Sequence, residues 1–252
     1  MDNQKSAKIA DINAIFLDVG NTLRILLKEE PHRAAARIEI AKLVGTPQDP
    51  DSFVAELDRR YKIYRKWAFD NMVEASEKEL WTRWLLPDYP TETISFLSAQ
   101  LTFQFRQSMG RRVVAEGGAE TIIELYKRGY ILGIISNVIT EREIPEWLDS
   151  DGLAPYFKSV LLSSVFGKRK PDAAIYVEAA RRAEVEPNQC VYVGDNFARD
   201  VEGTRDAGFG MVIIMPDKDD KELVLTPEQT PDLVIDRLVD LLTIFPPRVS
   251  VN

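Results

Sequence analysis

Asp18, Ser136, Lys170 and Asp195 are the residues of this 252-residue sequence whose types could together do chemistry, and each falls at or just beyond the end of a short apolar run. Asp18 closes "AIFLD" and is followed by Gly20, Asn21 and Thr22. Ser136 and Asn137 close "GIISN", Lys170 precedes a proline in "FGKRKPD", and Asp195 begins a stretch, "DNFARD", that ends on Asp200. Taken singly, each has an ordinary explanation: an aspartate or serine caps a turn, a lysine before proline lies on the surface, and an aspartate favours a helix N-terminus. Taken together they supply a carboxylate nucleophile, a further carboxylate for a divalent cation, a hydroxyl with a neighbouring amide, and an ammonium. Phosphoryl transfer through a covalent aspartyl intermediate needs that set.

The elements that must position these groups are legible as five β-rich runs, at 14–19, 130–137, 159–164, 190–195 and 211–215. They are near-continuously apolar rather than alternating, as strands are when helices cover both faces of the sheet. Helical spacing separates the later runs: 119–128 stops at Gly129, 173–183 follows Pro171, and 199–207 stops at Gly208. This alternation predicts an α/β fold, a doubly wound, Rossmann-like parallel sheet whose ligand crevice lies beyond the carboxyl ends of its strands. The predicted core comprises 12–24 and 113–245, with a short strand and a closing helix within 232–245, and tails at 1–11 and 246–252.

Residues 25–112 are too many for one crossover and are predicted to be a wholly helical insert of about four helices placed over the crevice. Phe53, Leu57, Tyr61, Tyr64 and Trp67 keep helical steps, and Ile94, Leu97, Leu101 and Phe105 form another stripe. Ser76 to Glu79 reads as a capping box ahead of Leu80, Trp81, Trp84 and Leu85. These aromatics are expected to be the insert's own core rather than a ligand cage.

A net charge of −8 and a pI near 4.9 argue against nucleic-acid or anionic-membrane partners, which need a basic footprint. The single cysteine, Cys190, allows no intrachain disulfide and reads as a buried strand thiol in a reducing compartment. No apolar stretch approaches the ~20 residues of a membrane-spanning helix. The N-terminal stretch has no signal-like apolar region, so a cytoplasmic location is expected.

In the order, spacing and strand context of "FLDVGNTL", "GIISN", "KRKPD" and "GDNFARD", the chain resembles the haloacid dehalogenase superfamily of hydrolases. The resemblance is to members with a helical (C1-type) cap inserted after the first strand, and it covers about 12–24 and 113–240. It implies Asp18 as nucleophile and magnesium ligand, with the backbone carbonyl of Gly20 and the carboxylate of Asp195 completing the protein's share of an Mg²⁺ site. Ser136 would hydrogen-bond the transferring phosphoryl group, with Asn137 placed to help position it, and Lys170 would neutralise charge on Asp18 and the phosphoryl oxygens. Asp200 would orient Asp195 or Lys170 from behind. The departure is Gly20, where phosphatases of this superfamily usually carry a second aspartate for general acid–base catalysis, a contribution typically of ~10²–10⁴-fold.

The resemblance therefore points first to a Mg²⁺-dependent phosphohydrolase of a small phosphorylated metabolite, limited to leaving groups that need little protonation. Arg24 is a candidate for contacting the anionic substrate, and His32, the only histidine, a weaker one for reaching the site. A non-catalytic binder of a phosphorylated ligand or partner is the alternative. A 2-haloacid dehalogenase, which needs neither the second aspartate nor a metal, is a further alternative, set against the intact "GDNFARD".

Overall fold

The apolar runs become strands that alternate their side chains between two covered faces. In the computed structural model, residues 8–216 and 224–248 are described. β1 (Ala14–Leu17) turns into β2 (Arg24–Leu27), after which come α1 (Glu30–Val44), α2 (Pro50–Asp70), α3 (Glu77–Glu79) continuing into a π-helical turn at Leu80–Leu85, and α4 (Thr91–Met109). β3 (Arg111–Val114) then returns antiparallel to β2. From there the chain runs through α5 (Gly118–Lys127), β4 (Ile131–Ser136), α6 (Glu143–Ser150), β5 (Phe157–Leu162), α7 (Ser163–Phe166) and α8 (Ala173–Ala183). It ends with β6 (Cys190–Gly194), α9 (Arg199–Asp206), β7 (Met211–Ile214), β8 (Leu233–Val234) and α10 (Leu241–Ile244).

Six strands pair in parallel in the order β5-β4-β1-β6-β7-β8. β1 lies at the centre because the chain leaves it first toward β4 and β5 and only later crosses to β6. This is the switch point at which a doubly wound sheet opens its crevice. Ile15 and Leu17 of β1 join one core with Leu132, Ile134, Val191 and Val193, while Ala14 and Phe16 face a second with Tyr176, Ala179, Cys190 and Tyr192. Both faces being covered, the whole of β1, β6 and β7 is buried. Cys190 is the buried strand thiol, its pKa pushed up to about 12 chiefly by that burial.

The helical layer between β2 and β3 packs its own core from Phe53, Leu57, Tyr64, Trp81, Leu101 and Phe105, joined by Ile139 from the sheet side. The aromatic stripes thus meet one another, and Trp67 and Trp84 have ring centroids 4.8 Å apart. Ser76 caps the amide of Glu79 at 3.2 Å, but the Glu79 carboxylate pairs with Arg83 instead of closing a reciprocal box.

The segment 25–112 is not wholly helical. β2 and β3 make a two-stranded ribbon where the chain enters and leaves the helical layer, Leu26 opposite Arg112 and Arg24 opposite Val114. Strands of four residues bearing three arginines between them show no alternation of their own, and pairing across so long an excursion stabilises them. Ser163 and Ser164, expected at a strand end, start α7. The Ser163 hydroxyl is held between Val138 and Glu74, which ends the extended run. No helix of the described residues is long and apolar enough to cross a membrane.

Candidate active site

Three adjacent parallel strands deliver their terminal side chains to one crevice. Asp18 follows β1, Ser136 ends β4 and Asp195 follows β6, so strand order alone sets the hydroxyl and the two carboxylates side by side. Asp18 is almost wholly buried, and all of its oxygens are engaged. Oδ1 accepts from the amide of Val19 at 2.7 Å and the hydroxyl of Ser136 at 3.0 Å. Oδ2 accepts from Lys170 Nζ at 2.7 Å and from Arg199 at 3.2 Å.

Lys170 reaches Asp18 from beneath, fully buried, and is also 3.3 Å from Asp200 and in hydrogen-bond contact with the Tyr192 hydroxyl. Burial, reinforced by the charges of Asp18 and Asp200, holds the Tyr192 phenol well above its ordinary pKa, so it remains a neutral hydroxyl beside the ammonium. Lys168 is not part of this arrangement and pairs with Asp172. Asn137 fixes Lys170 by its backbone, accepting from the Lys170 amide at 2.8 Å and donating to its carbonyl at 2.9 Å. Asn137 lines the cavity, and its side-chain amide is engaged with the main chain of Lys170.

Asp200 is completely buried behind the site, in contact with Lys170 and Arg199 and accepting from the amide of Asn196 at 3.1 Å. Burial opposes its ionisation, but Lys170 and Arg199 outweigh that and hold the carboxyl down at about 2. Gly194 is what admits it: a Cβ there would lie 2.4 Å from Asp200 Oδ2. Asp195 moves the other way, pushed above the ordinary carboxylate range by burial and then by the charge of Asp18. Asn21, in the left-handed region at φ 53°, donates to Asp195 at 3.1 Å.

Arg199, which sequence reasoning passed over although it stands inside "GDNFARD", bridges the carboxylates. It donates to Asp18 at 3.2 Å, to Asp195 at 2.9 Å and to Asp200 at 2.8 and 3.0 Å. Burial would lower its pKa, yet the surrounding carboxylates, Asp200 first, hold it well above the ordinary arginine value. Oxygens of Asp18, Asp195 and Asp200 lie within 4.8 Å of one another. Three carboxylates against the two cations Lys170 and Arg199 leave the cluster one negative charge in excess.

The cavity in front of Asp18 has a volume of about 190 Å³ and is bounded by Gly20, Ser136, Asp195 and Arg199 on the sheet side. Arg24, Arg106 and Arg112 line it as well. A cavity of about 340 Å³ between the helical layer and α6 holds none of Asp18, Ser136 or Lys170 and is not the chemical site. Gly20 opens onto the active cavity, a Cβ added there meets nothing within 4 Å, and its φ is outside the left-handed region. No steric or conformational demand therefore makes position 20 a glycine. His32 does not reach the cavity; its imidazole bonds to Gln107 at 2.9 Å, tying α1 to α4.

A model of the haloacid dehalogenase-like hydrolases matches residues 57–214. Over 239 residues, 93% of each protein, the chain is 28% identical to the glyceraldehyde 3-phosphate phosphatase of Pyrococcus furiosus. It is 33% identical over 124 residues to the protein of the same name from Methanopyrus kandleri, a match of 49% of this chain that spans about half (53%) of that relative's length. Its fold is similar to that of a 2-haloacid dehalogenase from Pseudomonas syringae pv. tomato, with a TM-score of 0.67, 22% identity, and coverage of 92% and 97% of the two chains. Family match and sheet order agree, and the chain belongs to the haloacid dehalogenase-like hydrolase family.

Proposed function

We propose that this protein is a Mg²⁺-dependent phosphohydrolase of a small phosphorylated metabolite, acting through a phosphoryl group carried on Asp18. The observation that carries this reading is the Asp18 carboxylate itself, held between Ser136 at 3.0 Å and Lys170 at 2.7 Å and facing a cavity. The two relatives named for glyceraldehyde 3-phosphate phosphatase activity support a substrate of this class.

The donor set suits Mg²⁺, a hard cation that takes oxygen ligands and retains waters. Asp18, Asp195 and the carbonyl of Gly20 would hold it, with Asp200 behind them in contact with Lys170 and Arg199. Arg199 donates to Asp18 and Asp195, two of the residues that would hold the ion. When bound, the ion neutralises phosphoryl charge and aligns the group with Asp18.

An Asp18 oxygen forms the new bond to phosphorus while the ester P–O bond breaks, and Lys170 and Ser136 stabilise the charge that spreads over the equatorial oxygens. The leaving oxygen takes its proton from water, because Gly20 offers none. Water then attacks phosphorus, releasing phosphate and restoring the carboxylate. Activated aryl and acyl phosphates are accordingly the best substrates. Asp18→Asn should abolish phosphate release from p-nitrophenyl phosphate, and chelation should do the same to the unaltered protein. Full turnover in either case overturns the reading.

One observation favours a metal-free displacement as the second reading: Arg199 already supplies a cation to Asp18, Asp195 and Asp200. Halide release from a 2-haloacid in the presence of chelator would select it.

A further inference from the structure

Of Arg24, Arg106 and Arg112, which line the cavity in front of Asp18, only Arg106 has a carboxylate partner, Glu143, among the described residues. Arg112 rises from β3, donates to the carbonyl of Arg106 at 2.9 Å, and forms no ion pair among the described residues. Arg24 is on the same face of the ribbon, donates to the carbonyl of Arg112 at 2.7 Å, and stacks 4.2 Å above the ring of Trp147. It likewise has no ion-pair partner among the described residues, and its Nε is buried with no hydrogen-bond acceptor. The carboxylates in reach are already engaged, Glu143 by Arg106 and Asp151 by the indole of Trp147. Burial, and then the neighbouring Arg106, draw Arg112 down to about 10, with Glu143 offsetting only part of that.

The amide of Arg24 donates to the carbonyl of Val19 at 2.7 Å and its carbonyl accepts from Asn21 at 2.9 Å, so its main chain belongs to the same turn that presents the nucleophile. Arg24 and Arg112 both line the cavity in front of Asp18, and both also line a neighbouring cavity against Trp147 and Glu143.

Resting on the phosphohydrolase reading, we infer that Arg112 and Arg24 form a subsite for a second anionic group of the substrate. The substrate class is a small phosphate ester with a carboxylate, or a second phosphoryl group, a few bonds from the scissile one. Guanidiniums recognise both groups by paired N–H donors, and an unpaired buried donor is costly until such a group arrives. The subsite lies on the ribbon that connects the helical layer to the sheet, so it selects the substrate without touching the groups that act on phosphorus.

Phosphoglycolate and ethyl phosphate have the same chain length and differ by a carboxylate for a methyl. The ratio of their kcat/KM values in the unaltered protein, divided by the same ratio in Arg112→Gln, cancels the intrinsic difference between the leaving alcohols. That quotient should be about 10 to 100, the range for one or two charged hydrogen bonds, and Arg112→Lys should recover part of it. A quotient near one overturns the subsite. 1,2-Ethanediol bisphosphate, set against ethyl phosphate in the same way, separates a phosphoryl preference from a carboxylate one. Should the variants not fold, inhibition of p-nitrophenyl phosphate turnover by the two monoesters decides: phosphoglycolate competing at least tenfold more strongly supports the subsite, and equal inhibition overturns it. Failure to release phosphate from any ester with Mg²⁺ present sinks the phosphohydrolase reading instead. Calorimetric affinities for the same pair then judge the subsite alone, by the same tenfold margin.

Discussion

Gly20 is a chemical departure without a structural cause, because its backbone is unstrained and the space beyond its Cα is open. Gly20→Asp should therefore fold normally and put a carboxyl where the leaving oxygen departs. Turnover of alkyl phosphates is expected to rise about 10-fold or more, within the usual range for general acid–base help, and that of aryl phosphates much less. Equal gains on both, measured as kcat, would mean that protonation of the leaving group never limited the reaction. Arg199 carries the second prediction at this scale. Its guanidinium competes with a divalent cation for Asp18 and Asp195, so Arg199→Gln should tighten Mg²⁺ or Mn²⁺ binding by about 10-fold, the order of one charged contact. Calorimetry on the metal alone reads this directly, and unchanged affinity would show that Arg199 does not stand in the cation's way.

At the scale of elements, the end of β6 and the start of α9 are built around one buried carboxylate. Gly194→Ala places a methyl against Asp200 Oδ2 and the Tyr192 ring, contacts of 2.4 and 2.8 Å that something must relieve. The expected cost is about 1–3 kcal/mol, read from urea denaturation, with loss of activity as Asp200 releases Lys170. A fully stable and active Gly194→Ala variant would mean that the β6 terminus is softer than its packing indicates. Arg24 and Arg112 show why elements mattered for the site. They are 88 residues apart, and only the antiparallel pairing of β2 with β3 makes them neighbours. A single arginine beside the first motif was visible in the sequence, but a three-arginine wall was not.

Across the whole molecule, the helical layer and the sheet are joined through a buried carboxylate. Glu74 accepts from the Tyr64 hydroxyl on the helical side and from the Ser163 hydroxyl at 2.9 Å on the sheet side, with Arg169 at 3.5 Å. Burial is the main reason its pKa is raised from 4.5. The folded state thus holds this proton to a higher pH than the unfolded state does, and Glu74 lowers stability progressively as pH climbs above 4.5. Glu74→Gln removes that dependence. The stability of the variant minus that of the unaltered protein should accordingly grow as pH rises above 4.5, as followed by denaturant melts. A pH-independent difference would refute the assignment.

The sequence by itself determined the sheet and the groups at its strand ends. Apolar runs with local stops define strands such as β1 and β6, and an acid placed at the end of a central parallel strand has one place to go. The meeting of Asp18, Ser136 and Asp195 was legible for that reason, whereas Lys170 reaches Asp18 from the loop beyond α7. The tertiary structure decided everything that depends on partners distant along the chain. It turned Asn137 toward the backbone of Lys170 and His32 toward Gln107, laid Arg199 across the carboxylates, and paired two arginine-bearing segments into a ribbon. Such contacts leave no periodicity in the sequence, since they arise only when separate segments bury their apolar faces and bring the remaining charged side chains to one wall.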